Sequence, residues 1–132
     1  MSIPLLCIAL LALLCIGLGF NVSMNRGKSN TLYGVTIDPE DSLYKAHRAH
    51  GNTTEYAPIL ALLIFILSQA PLTSWVLWSM VLVTLSRYIF VVGILVPQTM
   101  DKPHPLRFVG SLGTYLGGFA LIVALLIQAL GA

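Results

Sequence analysis

The stretch RAHGNTTE, residues 48–55, leads directly into an apolar run over residues 56–67. If both belong to one helix, Arg48, Asn52 and Glu55 are spaced by four and three residues and project from one face. A cation, an amide and a carboxylate on one face are costly near lipid unless they face protein, water or a ligand. This face is therefore the first candidate for a functional site.

The composition is that of an integral membrane protein. Of the 132 residues, 57% are hydrophobic and only 9% are charged, whereas soluble domains carry about 25% charged residues. The net charge is +2 and no basic run alternates with aromatic residues, which argues against a nucleic-acid partner. Cys7 and Cys15 lie in the first apolar stretch without any redox or metal-binding pattern, so we interpret them as packing residues. The three histidines are not arranged as metal ligands, and no metal site is predicted.

Hydropathy predicts an all-α fold, an integral membrane four-helix bundle that forms a single domain over residues 1–132. The predicted spans cover residues about 3–24, 43–68, 74–96 and 106–130. The first is predicted to be a retained span, because a secretory signal would carry a basic residue before its apolar run. Asp38 followed by Pro39 is typical of a helix start, so the second helix is predicted to begin there, ahead of the membrane.

Positive charge is concentrated in two of the three connections. The basic residues in or next to the 1–2 and 3–4 connections are Arg26, Lys28, Lys45, Arg48, Lys102 and Arg107. The positive-inside rule then predicts that both loops are cytoplasmic and that both termini lie outside.

Arg87 is the one basic residue inside a predicted span, and Glu55 lies at a similar depth in the preceding one. An Arg87–Glu55 pair or shared network is the least costly way to bury both charges. Such a pair either fixes the register of the helices or forms the floor of a polar pocket for a charged ligand, and both interpretations stay open.

The start of the fourth span carries Arg107, Ser111 and Tyr115 at intervals of four residues. The guanidinium of Arg107 could stabilise a thiolate or an oxyanion, or it could anchor the helix at the membrane surface. Further along the same helix, the four-residue spacing of Gly113 and Gly117 predicts a close contact between helices.

The R-A-H-x-N-x-x-E-Y-x-P run over residues 48–58 resembles the MAPEG family, the membrane-associated proteins in eicosanoid and glutathione metabolism. The resemblance covers essentially the whole chain, including Arg87 in the third span. It implies a homotrimer of four-helix bundles, with glutathione sites that lie between subunits and open to the cytoplasm. The likeness to bacterial members implies a multi-pass protein of a bacterial inner membrane. The resemblance assigns glutathione contacts to Arg26, Arg48, His50, Asn52, Glu55, Tyr56 and Arg87, and thiol activation to Arg107.

These residues suggest three functions. The resemblance implies a glutathione transferase or peroxidase that acts on hydrophobic electrophiles dissolved in the membrane, with glutathione as the co-substrate. The alternative is a non-catalytic protein on the same scaffold that binds a lipid or another small anion. Phe90 and Ile94 favour this alternative, because they stand where the eicosanoid enzymes have hydrogen-bonding rings. A small proton-coupled exporter that titrates Glu55 is the third hypothesis, and the polar neighbours of this carboxylate argue against it.

Overall fold

The computed structural model describes residues 1–131 and, within them, contains four helices and no β-strand. The helices are α1 (Ile3–Ser29), α2 (Ser42–Leu67), α3 (Ser74–Leu95) and α4 (Pro105–Ala129). The all-α fold predicted from hydropathy is confirmed. Each predicted span overlaps one helix, and the largest difference is that α1 continues to Ser29 instead of ending near residue 24.

Three of the described helices, α1, α3 and α4, are long and apolar enough to cross a membrane. The fourth, α2, is of similar length, but its N-terminal half carries the polar residues at positions 48–55. These residues lower its hydropathy below that of the other three helices.

The bundle consists of two helical hairpins, because α1 packs mainly on α2 and α3 packs mainly on α4. The connections over residues 30–41 and 96–104 lie at one end of the bundle, which we call the loop end. The turn over residues 68–73, the start of α1 and the end of α4 lie at the other end. The apolar core includes the fully buried side chains of Leu11, Ile64, Met80, Val83 and Leu121.

Glycines allow α3 and α4 to approach each other closely. A Cβ atom on Gly93 would lie 2.6 Å from the backbone nitrogen of Arg107, and one on Gly117 would lie 2.6 Å from Cγ1 of Val83. Side-chain atoms do not fit at such distances, so the contact requires glycine at these positions. The close contact predicted from the spacing of Gly113 and Gly117 is confirmed, and its partner is α3 of the same chain.

The start of α2 differs from the prediction. Its N-cap is Asp41, whose carboxylate accepts a hydrogen bond from the backbone N–H of Tyr44 at 2.8 Å. Asp38 instead accepts one from the backbone N–H of Glu40 at 2.9 Å, in a turn that precedes the helix. The predicted start at Asp38 is wrong because the buried face of α2 begins only at Leu43, so the earlier residues have no core to pack on.

Hydrogen bonds tie the two connections together at the loop end. The backbone N–H of Met100 donates to the carbonyl of Pro39 at 2.9 Å. Nζ of Lys45 donates to the carbonyl of Pro97 at 2.9 Å. The 3–4 connection is thereby held against the start of α2, where the candidate site lies.

Candidate functional site

A cavity of about 450 Å³ opens at the loop end, between α2, α3, α4 and the 3–4 connection. Two of the predicted site residues, Arg48 and Arg107, line it, and we call it the arginine cavity. The other lining residues are Tyr44, Phe90, Ile94, Met100, Pro103, His104, Phe108 and Ser111. The cavity therefore combines two permanent positive charges with a wall that is largely apolar.

The guanidinium of Arg107 is held in place by the 3–4 connection. Its nitrogens donate to the backbone carbonyls of Met100, at 3.1 Å, and of Lys102. His104 caps the same helix end by accepting a hydrogen bond from the N–H of Leu106 at Nδ1, at 3.2 Å. A guanidinium has five N–H donors, so several remain for a ligand. Because its position is fixed before a ligand arrives, Arg107 is a preorganised cation.

Arg48 reaches the same cavity from α2. Its neighbour Ala49 is fully buried against the bundle, which leaves Arg48 half-buried at the edge of the helix contact. Tyr44 lies one turn earlier on the same face and also lines the cavity. The first two turns of α2 therefore present a cation and a phenol to one space.

Arg87 is buried beside the cavity and does not line it. Its side chain is 1% exposed and donates a hydrogen bond to Oδ1 of Asn52. The central guanidinium carbon lies 5.1 Å from the ring centroid of Tyr56 and 4.9 Å from that of Phe90, both within the range of cation–π attraction. Nε of Arg87 has no hydrogen-bond partner. Phe90 thus stands between this buried cation and the arginine cavity.

The predicted Arg87–Glu55 ion pair is not formed within residues 1–131. Glu55 is exposed, and Arg87 bonds instead to Asn52, nearly one turn earlier on α2. One amide oxygen and two aromatic faces lie around the guanidinium, and this arrangement leaves the carboxylate outside the helix contact.

A pair of tyrosines lies between this network and an exposed surface of the bundle. The hydroxyl groups of Tyr56 and Tyr115 are 3.0 Å apart, and their rings meet edge to face with centroids 6.0 Å apart. Both line a groove of about 380 Å³ between α2 and α4 that also includes Ile59, Leu63 and Phe119. We call it the apolar groove. It begins one turn along α4 from Ser111, which lines the arginine cavity.

Two predicted site residues lie elsewhere. The ring of His50 faces α1, where a Cβ on Gly19 would lie 3.2 Å from Nε2 of His50. Arg26 donates to the backbone carbonyl of Gly34 at 2.8 Å, in the 1–2 connection. A single copy of the chain therefore does not bring the whole predicted set to one site.

Sequence reasoning missed two polar residues of the arginine cavity. Tyr44 could have been found from its spacing, because it precedes Arg48 by one turn of the same helix. His104 lies at a helix cap, where capping alone explains a polar residue, so the sequence carried no separate signal for it. Within the part of the chain that the structure describes, no group of three or more His, Cys, Asp or Glu side chains could hold a metal ion.

Comparison with protein families matches the model described as the MAPEG family over residues 4–127. Comparison with curated proteins and with solved structures gives no match. The family match covers nearly the whole chain, so the chain belongs to the MAPEG family. Together with its three apolar helices, this membership identifies an integral membrane protein.

Proposed function

We propose that this MAPEG protein is a glutathione transferase or peroxidase that acts on hydrophobic electrophiles in the membrane. The observation that carries the proposal is that Arg48 and Arg107 line the same open cavity. Glutathione offers two carboxylates, one ammonium and one thiol, and guanidinium groups pair with carboxylates in bidentate geometry. A cavity with two cations suits a small peptide whose net charge is negative.

In this proposal, Arg107 activates the thiol of glutathione. A fixed guanidinium beside the sulfur lowers the pKa of the glutathione thiol, because the positive charge favours the thiolate. The thiol proton passes to water, and an electron pair of the sulfur forms a bond to the electrophilic carbon. The leaving group departs with the electrons of its own bond to that carbon. With a hydroperoxide, the sulfur attacks the terminal oxygen and the alcohol departs, and a second glutathione then converts the product to the disulfide and water.

The α2 residues hold the peptide. Glu55 is an exposed carboxylate that can pair with the ammonium of glutathione. Asn52 and Tyr56 face the buried guanidinium of Arg87, which we assign as a positioning residue because its own side chain is 1% exposed. Arg48 then pairs with a glutathione carboxylate.

The proposal includes assembly as a homotrimer in a bacterial inner membrane, with the loop end in the cytoplasm. In the trimer that we propose, a neighbouring chain brings His50 and Arg26 to the arginine cavity, since one chain keeps both residues away from it. The apolar groove, with Tyr56 and Tyr115 at its wall, would receive the hydrophobic substrate from the lipid.

Two single substitutions test these roles. Arg107→Ala should lose turnover while it keeps most of its affinity for glutathione, and Arg48→Ala should raise the Kd for glutathione. Lys102→Ala is the charge control, because this exposed side chain lies outside the arginine cavity. Binding is measured by calorimetry and turnover with a panel of aryl halides and lipid hydroperoxides. If both arginine variants behave like the wild-type protein, the site assignment is wrong.

The alternative function is a non-catalytic MAPEG protein that binds a lipid or another small anion in the same cavity. The observation that favours it is that Phe90 and Ile94 both line the arginine cavity, so neither position offers a hydroxyl group to a ligand. In this case Arg48→Ala would weaken the binding of an anion, and the wild-type protein would show no glutathione-dependent turnover with any electrophile of the panel.

A further inference from the structure

A second polar cavity, of about 280 Å³, lies at the loop end between α1, the first turn of α2 and the end of α3. Its lining residues are Asn21, Asn25, Lys28, Ser42, Lys45 and Leu95, and we call it the lysine cavity. None of them belongs to the predicted glutathione set or to the arginine cavity. The lysine cavity therefore requires an explanation of its own.

The α1 wall of the lysine cavity is a single polar face. Asn21, Asn25 and Lys28 are spaced by four and three residues, so they project from the same side of the helix. Nδ2 of Asn25 donates to the backbone carbonyl of Asn21 at 2.9 Å and to its Oδ1 at 3.3 Å. Because the oxygen of the Asn21 amide accepts this bond, its Nδ2 donors remain for a ligand. Gly19, which faces His50, and Arg26 are seven residues apart and share a different face of α1. The lysine cavity is therefore separate from these predicted glutathione residues.

The lining of the lysine cavity is cationic and contains no carboxylate. Lys45 is fixed by its hydrogen bond to the carbonyl of Pro97 at 2.9 Å, and two of its three N–H donors remain. Lys28 lies in the last turn of α1 and is exposed. The carboxylate of Asp41 precedes Ser42 in the chain and accepts a hydrogen bond from the backbone N–H of Tyr44 at 2.8 Å, but it does not line the cavity. Two lysines and the amide of Asn21 therefore line one polar space.

The position of Asn21 along α1 sets the depth of the lysine cavity in the membrane. Residues 3–20 form an uninterrupted apolar run, Asn21 follows it directly, and the first charge of the helix is Arg26. The lysine cavity thus lies where the hydrocarbon part of the helix ends, which is the level of phospholipid headgroups. Leu13 and Gly17, at intervals of four residues before Asn21, are exposed and continue the same face into the hydrocarbon region.

We propose that the lysine cavity binds the phosphate of an anionic phospholipid. Lys28 and Lys45 contact the phosphate oxygens, and the amide of Asn21 donates a further hydrogen bond. Basic cavities between membrane helices are typical sites for anionic headgroups. A soluble phosphate would offer the same chemistry, but the exposed apolar face of Leu13 and Gly17 gives a lipid a place for its acyl chain.

The test is phospholipid binding to the purified full-length protein, measured by native mass spectrometry from a neutral detergent. The added probes are dioleoylphosphatidylglycerol and dioleoylphosphatidylcholine, which differ in the charge of the headgroup. The wild-type protein should retain the anionic lipid in preference to the zwitterionic one. The Lys28→Gln/Lys45→Gln double variant should lose affinity for phosphatidylglycerol by about tenfold to thirtyfold, because each lysine near an anionic headgroup contributes a separate attraction.

Two controls make the result decisive. Lys102→Gln removes an equal charge at the same end of the bundle but outside the lysine cavity, and it should bind phosphatidylglycerol like the wild-type protein. Lys28→Gln alone changes an exposed side chain that leaves the fold intact, and it should lose about fivefold. Unchanged binding in both lysine-cavity variants, or an equal loss in Lys102→Gln, would overturn the proposal. If inorganic phosphate binds to lipid-free protein and displaces phosphatidylglycerol, the ligand is a soluble phosphate and the lipid assignment is wrong.

Discussion

Replacing Gly93 by alanine should separate α3 from α4 at the point where Arg107 enters the arginine cavity. The new Cβ would lie 2.6 Å from the backbone nitrogen of Arg107, 2.9 Å from its Cγ and 3.0 Å from the carbonyl carbon of Leu106. Two of these three atoms belong to the backbone, so no side-chain rotation relieves the overlap. The start of α4 must therefore move away from α3 by about 1 Å.

This displacement should affect both the stability of the protein and its turnover. Overpacking of a close contact costs about 1–3 kcal/mol, and the better helix propensity of alanine returns up to about 1 kcal/mol. With the full gain in helix propensity, the free energy of unfolding of Gly93→Ala should lie about 0–2 kcal/mol below that of the wild-type protein. If Arg107 activates glutathione, a shift of about 1 Å in its position should also lower kcat by up to about 100-fold.

Gly118→Ala is the matched control for Gly93→Ala. Its Cβ would have Leu60 as its nearest neighbour, at the ordinary contact distance of 3.7 Å, so only the gain in helix propensity applies. Both variants can be compared with the wild-type protein by unfolding in mixed micelles, followed by circular dichroism. If Gly93→Ala is as stable as Gly118→Ala, α3 and α4 do not approach each other closely at Gly93.

Three further sets of substitutions test local features of the structure. Asp41→Ala should destabilise the protein by about 1 kcal/mol through loss of the α2 cap, whereas Asp38→Ala should have a smaller effect. If thermal unfolding shows that Asp38→Ala is the less stable variant, the observed helix start is contradicted. Tyr56→Phe and Tyr115→Phe should each lower the free energy of unfolding by about 0.5–1.5 kcal/mol. The double variant should lose less than the sum of the two, because both single variants break the same hydrogen bond. Full additivity in a double-mutant cycle would exclude the hydroxyl pair. Arg87→Ala should cost about 3 kcal/mol or more, because it leaves a cavity and an unpaired, partly buried amide on Asn52. Unchanged unfolding would contradict the burial of Arg87.

The helices could be predicted from the sequence because their lengths follow from the hydrophobic runs, which depend on local composition alone. A close helix contact on α4 was also accessible, since Gly113 and Gly117 mark a surface without side chains, but only the structure identifies α3 as its partner. The start of α2 could not be predicted, because Asp38 and Asp41 are both good capping residues. Only the packing of Leu43 against the bundle selects the second of them.

The candidate site was predicted in part. The shared face of Arg48 and Asn52 follows from helix geometry, but the partner of Arg87 does not. Asn52 and Glu55 lie less than one turn apart on that face, and a difference in rotation about the axis of α2 decides which of them meets the guanidinium. The contribution of His104 to the arginine cavity depends on how the 3–4 connection folds back, which has no periodic signal in the sequence.

The central claim is that the arginine cavity holds glutathione with its sulfur as a thiolate. The most direct test is calorimetric titration of the detergent-solubilised protein with glutathione, with an ultraviolet scan for thiolate absorbance in the same sample. The predicted result is saturable heat together with a thiolate band. Arg107→Ala should keep most of the binding heat and lose the thiolate band. No binding and no thiolate band at millimolar glutathione would contradict the claim.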